Sequence, residues 1–323
     1  MRTGENTVWH WDVSLRAHLV SGFAHAVVKP LFTIWPATDA GIRVLADLET
    51  YVDRLPAPPR TRVEPLNLGG VPCERITHNH VATDDLADAT ILYLHGGGFV
   101  FCGRGTHRSL CGLMSAKAGV PVVSVEYRQL PDGGIGTSIA DAMAAYRALL
   151  DDCPDPTKVI VAGDSAGGYL AMKVAELAVA QGLHRPAAVI GYSPLLNLHL
   201  ERHDPRFMRK DAYLPMRKVA QLKDRWLGGP DRIPGAESPV DADPAVFPPV
   251  FLACAEYELM RPDVELLTDR LERAGRIVET HLWSGQIHAF PVLATVLRES
   301  SELVSLSVDF ARRNVRSRHL RSA

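Results

Sequence analysis

Short apolar runs alternate with longer helical patterns along most of the chain, from about residue 60 onward. Six of the runs are almost continuously apolar, which is typical of strands covered on both faces of a sheet. They cover residues 89–94, 120–126, 158–162, 187–192, 249–253 and 276–282. The helical patterns cover residues 109–118, 139–150, 166–181, 262–274 and 298–312. This alternation predicts an α/β fold with a mostly parallel, doubly wound sheet.

Two further strand-like runs, residues 62–68 and 73–77, precede these six. Gly69-Gly70 between them is typical of a turn, so we predict an antiparallel hairpin at one edge of the sheet. The predicted sheet therefore has eight strands, and residues 61–323 form the catalytic domain that contains it. The eighth strand, residues 276–282, is also expected to be an edge, where it could pair between the subunits of a homodimer.

Two regions do not follow the strand-helix alternation. Residues 1–60 are helical in pattern and end in the stiff run Pro56-Ala57-Pro58-Pro59. Residues 198–235 contain a helical pattern over 210–227 that stops at Gly228-Gly229-Pro230. Both regions are predicted to be cap segments that lie over one end of the sheet.

The most apolar stretch near the N-terminus covers residues 19–35. His25, Lys29 and Pro30 interrupt it, so it makes a poor membrane span and no stable membrane insertion is expected. The favoured interpretation is an amphipathic helix packed on the protein, with attachment to a membrane surface as the alternative.

Composition and charge narrow the functional class. The formal net charge is −2, which argues against a nucleic-acid-binding protein, since such proteins usually carry a basic face. The five cysteines are scattered without a CxxC pair, so neither a disulfide framework nor a cysteine-rich metal site is expected. The polar N-terminus does not resemble a secretory signal, and we expect a cytoplasmic protein without a cofactor or metal.

The strongest chemical motif is Gly163-x-Ser165-x-Gly167, which follows a predicted strand and opens a predicted helix. A serine at such a turn is held on a strained backbone with its hydroxyl exposed. Glycines are needed two positions away because side chains there would collide with neighbouring elements. The free N–H of Ala166 at the helix start would face negative charge on a substrate oxygen. The alternative is a glycine-rich turn that contains a serine by chance.

A second motif, His95-Gly96-Gly97-Gly98, ends the predicted strand 89–94. Three consecutive glycines let the backbone approach a ligand closely, and this end of a strand is where α/β sheets bind ligands. A phosphate-binding loop is the competing interpretation, but no Gly-Lys-Ser/Thr follows and no GxGxxG opens a helix.

Together, the two motifs resemble those of the hormone-sensitive-lipase-like esterases of the α/β-hydrolase superfamily. The resemblance covers roughly residues 85–315. It implies an α/β-hydrolase fold, Ser165 as the nucleophile, and Gly97, Gly98 and Ala166 as oxyanion-hole donors.

A serine nucleophile needs a base and an acid, which follow it along the chain in this fold. His288 lies in a turn-rich loop after the last predicted strand and matches the family's His-x-Phe position, whereas His281 lies within that strand and is expected to be structural. Glu258 follows the seventh strand, in a position where the family usually has Asp. Glu256 and Asp263 are the alternative acids, and all three could instead be surface charges.

These residues predict a carboxylic-ester hydrolase that acts through an acyl-enzyme on short- to medium-chain esters. Its expected partner is therefore a small-molecule ester. One alternative is an amidase or arylformamidase with the same triad. The other is a non-catalytic binding protein on this fold, similar to plant hormone receptors that lack the catalytic histidine, whereas His288 is present here.

Overall fold

The structure is a computed structural model that describes residues 6–54, 56–199 and 205–322. Its centre is a nine-stranded sheet in the order β1-β9-β8-β7-β6-β4-β5-β3-β2. The strands are β1 Thr7–His10, β2 Thr61–Leu68, β3 Val71–His78, β4 Thr90–Leu94, β5 Val122–Val125, β6 Val159–Asp164, β7 Ala188–Tyr192, β8 Val250–Ala255 and β9 Val278–Trp283. The pairs β2–β3 and β3–β5 are antiparallel, and the other six pairs are parallel.

The helices connect the strands and cover both faces of the sheet. They are α1 Leu15–Phe23, α2 Lys29–Ile34, α3 Asp39–Val52, α4 Arg104–Ala118, α5 Ile135–Asp152, α6 Ser165–Ala180, α7 Pro205–Lys210, α8 Met216–Trp226, α9 Arg261–Arg273 and α10 Arg298–Ser322. A π-helical turn, Ala24–Val28, joins α1 to α2. The predicted α/β fold and its eight strands are therefore confirmed, with their ends displaced by a few residues.

The core consists of two layers, one on each face of the sheet. Alternate residues of a strand point to opposite faces, so neighbouring apolar residues of one strand enter different layers. In β4, Leu92 and Leu94 belong to one layer, whereas Ile91 and Tyr93 belong to the other. Burial on both faces explains why the central strands are almost continuously apolar in sequence.

The first strand is a departure from the sequence prediction. Residues 7–10, expected to belong to a helical cap, form β1 and pair in parallel with β9. The eighth predicted strand is therefore not an edge, and the expectation that it pairs between subunits through a free edge is wrong. A homodimer formed in some other way stays a prediction. Four residues are too few to show a strand period, which is why the pattern did not indicate β1.

The second cap region also differs from its prediction in detail. Of the helical pattern expected over 210–227, the part that forms a helix is α8, which begins at Met216, whereas the preceding helix α7 ends at Lys210. Pro215 is the N-cap of α8, where its fixed φ and missing N–H interrupt a continuous helix. The two cap regions contact each other, since Lys218 Nζ donates to Trp35 O at 2.5 Å and Arg225 Nη1 donates to Ala37 O at 2.6 Å.

Candidate active site

Ser165 lies at the sharp turn between β6 and α6, with a φ of +50°. A positive φ in a residue other than glycine is strained, by about 1–3 kcal/mol, and such residues cluster at functional sites. The flanking glycines are required by close contacts. A Cβ on Gly163 would lie 2.4 Å from Gly167 O, and a Cβ on Gly167 would lie 1.9 Å from Leu94 O. The turn therefore forms only with glycine at both positions.

His288 lies in the loop after β9, and its ring reaches the serine. The distance from His288 Nε2 to Ser165 Oγ is 2.9 Å, which is within hydrogen-bonding range. Both side chains are buried, at 5% and 8% exposure. The pair can therefore exchange a proton directly. His281, by contrast, contacts His10 Nε2 through Nδ1 at 2.8 Å and Glu279 through Nε2 at 2.9 Å, as expected for a structural residue.

Glu258 faces the other side of the His288 ring. Its Oε2 lies 3.6 Å from His288 Nδ1, an ion-pair distance that is longer than a hydrogen bond. The same oxygen accepts hydrogen bonds from Ser193 Oγ at 2.8 Å and from Ala255 N at 3.2 Å. Glu258 is completely buried, so its carboxylate is not a solvated surface charge.

The two alternative acids point to other partners. Glu256 Oε2 accepts a hydrogen bond from Ser284 Oγ at 2.6 Å, and Asp263 Oδ1 accepts one from Asn197 Nδ2 at 3.1 Å. The structure therefore brings Ser165, His288 and Glu258 together in one row.

The buried groups of this row shift the pKa values of both His288 and Glu258. Burial alone would lower the pKa of His288, but the attraction of the Glu258 carboxylate outweighs it and raises the pKa above its ordinary value. Burial raises the pKa of Glu258, an effect that His288 and Ser193 oppose. A carboxylate in this position stabilises the imidazolium that forms when the histidine takes a proton.

Two residues that the sequence did not single out hold the acid and the histidine in place. The Ser193 hydroxyl donates to Glu258 and accepts from Ala289 N at 3.0 Å, so it links the acid to the histidine loop. Asp211, in the cap, is completely buried and accepts from Leu259 N at 2.9 Å. Its other oxygen accepts from Tyr213 N and Leu214 N, both at 2.7 Å.

Sequence signals for these two residues were weak. Ser193 follows directly after the predicted strand 187–192, where α/β sheets place functional residues, and it has a positive φ of 46°. Asp211 was one polar residue in a predicted cap helix, with nothing in its neighbourhood to indicate a buried carboxylate.

The glycine loop after β4 lies beside the serine. Gly97 and Gly98 have φ values of +108° and +63°, and a Cβ on Gly97 would lie 1.9 Å from Phe101 O. Both glycines and Ala166 line the same cavity as Ser165. The three residues predicted as oxyanion donors thus lie around the nucleophile.

Asp164 holds this loop against the nucleophile turn. Its Oδ1 accepts from Tyr93 Oη at 2.7 Å and from Gly96 N at 2.9 Å, and it lies 3.1 Å from His107 Nε2. Burial alone would raise the pKa of Asp164, but the neighbouring His107 outweighs this and lowers it. Asp164 is therefore a buried anion that fixes the backbone of the glycine loop.

A cavity of about 220 Å³ opens above Ser165 and His288. Most of its lining is apolar, and both cap regions contribute to it, with Phe32, Trp35, Leu45, Leu214, Val219 and Trp226 among the lining residues. Among the residues that the structure describes, no group of three or more His, Cys, Asp and Glu side chains could hold a metal ion.

Comparison with known proteins agrees with the fold. A family profile described as alpha/beta hydrolase fold matches residues 91–292. Esterase LipU of Mycobacterium tuberculosis is 31% identical over 278 residues, covering 82% of this chain and 88% of that protein. An acetyl-hydrolase of Streptomyces hygroscopicus is 30% identical over 253 residues, covering 76% of this chain and 84% of that protein.

Solved structures give the same result. The crystal structure of an esterase from the bacterial hormone-sensitive lipase family superposes with a TM-score of 0.80 at 27% identity, covering 94% of this chain and 99% of that one. A hormone-sensitive lipase from a metagenome library has a TM-score of 0.80 at 26% identity, covering 93% and 97% of the two chains.

Proposed function

The chain belongs to the hormone-sensitive-lipase-like esterases of the α/β-hydrolase superfamily, and from this premise we propose that it hydrolyses carboxylic esters through Ser165, His288 and Glu258. The observation that carries the proposal is the 2.9 Å contact between His288 Nε2 and Ser165 Oγ at the floor of the apolar cavity. A nucleophile paired with a base in this way is the minimum requirement for an acyl-enzyme mechanism.

Acylation begins when Ser165 Oγ attacks the carbonyl carbon of the ester. His288 Nε2 accepts the serine proton, and Glu258 stabilises the resulting imidazolium. The carbonyl oxygen becomes an oxyanion that accepts hydrogen bonds from the N–H groups of Gly97, Gly98 and Ala166. His288 then returns the proton to the alkoxide as the bond to carbon breaks, so the alcohol leaves and the acyl group remains on Ser165.

Deacylation repeats these steps with water. His288 takes a proton from a water molecule, which attacks the acyl carbon, and the proton returns to Ser165 Oγ as the carboxylic acid is released.

The rate of both steps depends on how firmly the glycine loop holds its N–H groups towards the oxyanion. Loss of one oxyanion donor typically lowers the rate by about 10²–10³-fold. Asp164 supplies that preorganisation by holding Gly96 N at 2.9 Å.

The size of the cavity supports short- to medium-chain esters as substrates. Its volume of about 220 Å³ accommodates an acyl chain of a few carbons together with part of the alcohol. The walls contributed by the cap are apolar, which favours acyl and alcohol groups without charge. The names of the relatives, an esterase and an acetyl-hydrolase, are consistent with this size.

The test is hydrolysis of a series of p-nitrophenyl esters, from acetate to hexadecanoate, by wild type and Ser165→Ala. We expect the highest kcat/KM with short or medium chains and a loss of at least about 10³-fold in the variant, since the nucleophile is removed. Ser301→Ala on α10 is the matched control and keeps full activity. Equal rates for wild type and Ser165→Ala, or a clear preference for an N-formyl anilide over the esters, would displace the proposal.

A further inference from the structure

The helix that begins at Leu15 carries a stripe of large apolar side chains exposed to solvent. By length and composition, Leu15–Ile34 could cross a membrane, yet only 11% of its most apolar window is buried in the protein. Six side chains spaced three or four residues apart are between 47% and 79% exposed, and we call them the apolar stripe: Leu15, Leu19, Phe23, Val27, Leu31 and Ile34. Soluble proteins rarely expose apolar side chains in a continuous row, and such rows mark interaction surfaces.

The opposite face of the same helix is fixed to the protein. Ala17 and Ala24 are buried in the core, and Ser14 N, at the N-cap, donates to Glu299 at 2.8 Å. Lys29 Nζ donates to Asp211 O, at the residue that holds the acid loop. A helix that crossed a bilayer would lose these contacts, so the structure favours a helix that lies flat with its stripe outward.

The segment that carries the stripe has no acidic residue. The sequence contains no Asp or Glu from residue 13 to residue 38, whereas Arg16 and Lys29 lie within this segment. Arg16 is exposed near the N-terminal end of the stripe, and Lys29 Nζ donates to Asp211 O. An exposed apolar row with a basic and no acidic residue beside it is typical of helices that lie in the interface of membranes with anionic lipids.

The stripe also leads to the cavity. Leu31 and Ile34 are exposed, while Phe32 and Trp35, on the adjoining face of the same segment, line the cavity above Ser165. Any surface on which the apolar stripe docks would therefore lie next to the cavity.

We propose that the apolar stripe docks reversibly on the surface of a lipid bilayer, with a preference for anionic headgroups, and brings the cavity next to esters dissolved in that surface. A second copy of the chain fits less well, since a twofold interface would place this segment against itself, and the segment contains no Asp or Glu that could pair with Arg16. In a bilayer, the anionic phosphates of the headgroups complement Arg16, and the acyl chains bury the apolar stripe.

The experiment compares binding to two kinds of sucrose-loaded vesicle, phosphatidylcholine alone and phosphatidylcholine mixed with phosphatidylglycerol. The stripe variant is Leu19→Gln/Phe23→Gln/Val27→Gln. The matched control is Val81→Gln/Leu266→Gln/Ile277→Gln, whose side chains are exposed elsewhere on the surface by 68%, 46% and 44%. We expect wild type and control to sediment with both vesicles, and the stripe variant to bind about a hundredfold more weakly or worse.

The contribution of positive charge to vesicle binding is tested with the variant Arg16→Glu. We expect it to weaken binding to the anionic vesicles by at least about fivefold and to change binding to phosphatidylcholine little. Arg62→Glu, whose side chain is 75% exposed on β2 at the opposite edge of the sheet, is the control and should bind as wild type does.

Two results would overturn the proposal. One is wild-type protein that stays in the supernatant with both vesicles. The other is a wild-type dimer, seen by analytical ultracentrifugation, that the stripe variant converts to monomer without a change in vesicle binding. Vesicle binding needs no hydrolysis, so its outcome is separate from the test of the esterase activity. Hydrolysis of a water-soluble ester by the stripe variant should equal that of wild type, which also shows that the variant is folded.

Discussion

The contact between Glu258 and His288 is the longest in the proposed triad. At 3.6 Å, it exceeds a hydrogen bond by about half an ångström, and it occurs where the family usually has the shorter Asp. Ser193 and Ala255 hold the same carboxylate oxygen, so Glu258 shares its charge among three groups. Catalytic hydrogen bonds are often long in the free enzyme and shorten when substrate binds. The acid therefore needs only a small movement towards the ring.

Glu258→Gln tests the electrostatic role of this residue through the pH profile. His288 must be neutral to act as a base, so kcat/KM falls as the pH drops through its pKa. Because Glu258 raises that pKa, the wild-type acid limb should lie above pH 6.5. In the variant, the effect of Glu258 is lost, while burial still lowers the pKa and Asp211 and Asp164 still raise it. The limb therefore moves to lower pH, and the plateau of kcat/KM falls by about 10²–10⁴-fold.

The measurement is kcat/KM for a neutral ester between pH 5 and 9. Glu256→Gln, at the alternative acid, is the control and should keep the wild-type limb and plateau. If Glu256→Gln lost the activity and Glu258→Gln kept it, the assignment of the acid would be wrong.

Local motifs explain why some site residues could be predicted from the sequence and others could not. Ser165, Gly97 and Gly98 lie in motifs whose glycines have a visible steric reason, and His288 follows from chain order. Ser193 and Asp211 act through contacts with residues 65 and 48 positions away, on Glu258 and Leu259. No local sequence pattern indicates such a contact, because the contact forms only when separate loops meet at the end of the folded sheet.

Among the elements, β1 depends on contacts between residues that are far apart in the sequence, which no local pattern indicates. The ring of His10 stacks on Trp283 with centroids 3.8 Å apart, and its Nε2 meets Nδ1 of His281 at 2.8 Å. These contacts lie at the outer edge of the sheet and join the two ends of the chain. The other eight strands could be predicted from their strand-like runs, whereas the four-residue β1 has no such run and is stabilised by tertiary contacts.

Mild acid should loosen β1. Burial, followed by the neighbouring His281, lowers the pKa of His10 to about 4, well below the ordinary 6.5. The unfolded chain then binds more protons than the folded one between these two values, so stability decreases as the pH falls from about 6.5 to about 4. The protection factor of the His10 amide, which is its exchange relative to the intrinsic rate at each pH, should fall over this range. In His10→Gln, the protection factor at residue 10 should change much less. An equal fall in the variant would exclude His10 as the cause.

Asp211 connects the cap to the loop of the acid, and Asp211→Asn should weaken this connection. The amide places a donor against an N–H group that the carboxylate satisfied, either Leu259 N or the pair at Tyr213 and Leu214. We expect a loss of roughly 2 kcal/mol or more in unfolding free energy and a higher KM. Asp47→Asn, at an exposed position of cap helix α3, is the control and should match wild type in thermal unfolding and kinetics.

At the scale of the whole molecule, the N-terminal segment covers both an edge of the sheet and part of the cavity. Residues 7–10 extend the sheet beyond β9, and residues 32–45 include side chains that line the cavity. Between them, the apolar stripe faces outward. One segment thus extends the sheet, shapes the site and presents the proposed lipid-binding face.

Removal of β1 should therefore change how the whole molecule associates. A variant that lacks residues 1–11 exposes the β9 edge, including the N–H groups of Thr280 and Ser284 that now donate to Asn6 O and His10 O at 2.9 Å. Unpaired edges recruit other strands, so we expect concentration-dependent dimers or larger species and a loss of roughly 2–4 kcal/mol in stability. A variant that lacks only residues 1–5 keeps β1 and is the control. Light scattering after gel filtration, together with thermal unfolding, measures both effects. If the two truncations behaved alike, β1 would not be what protects this edge.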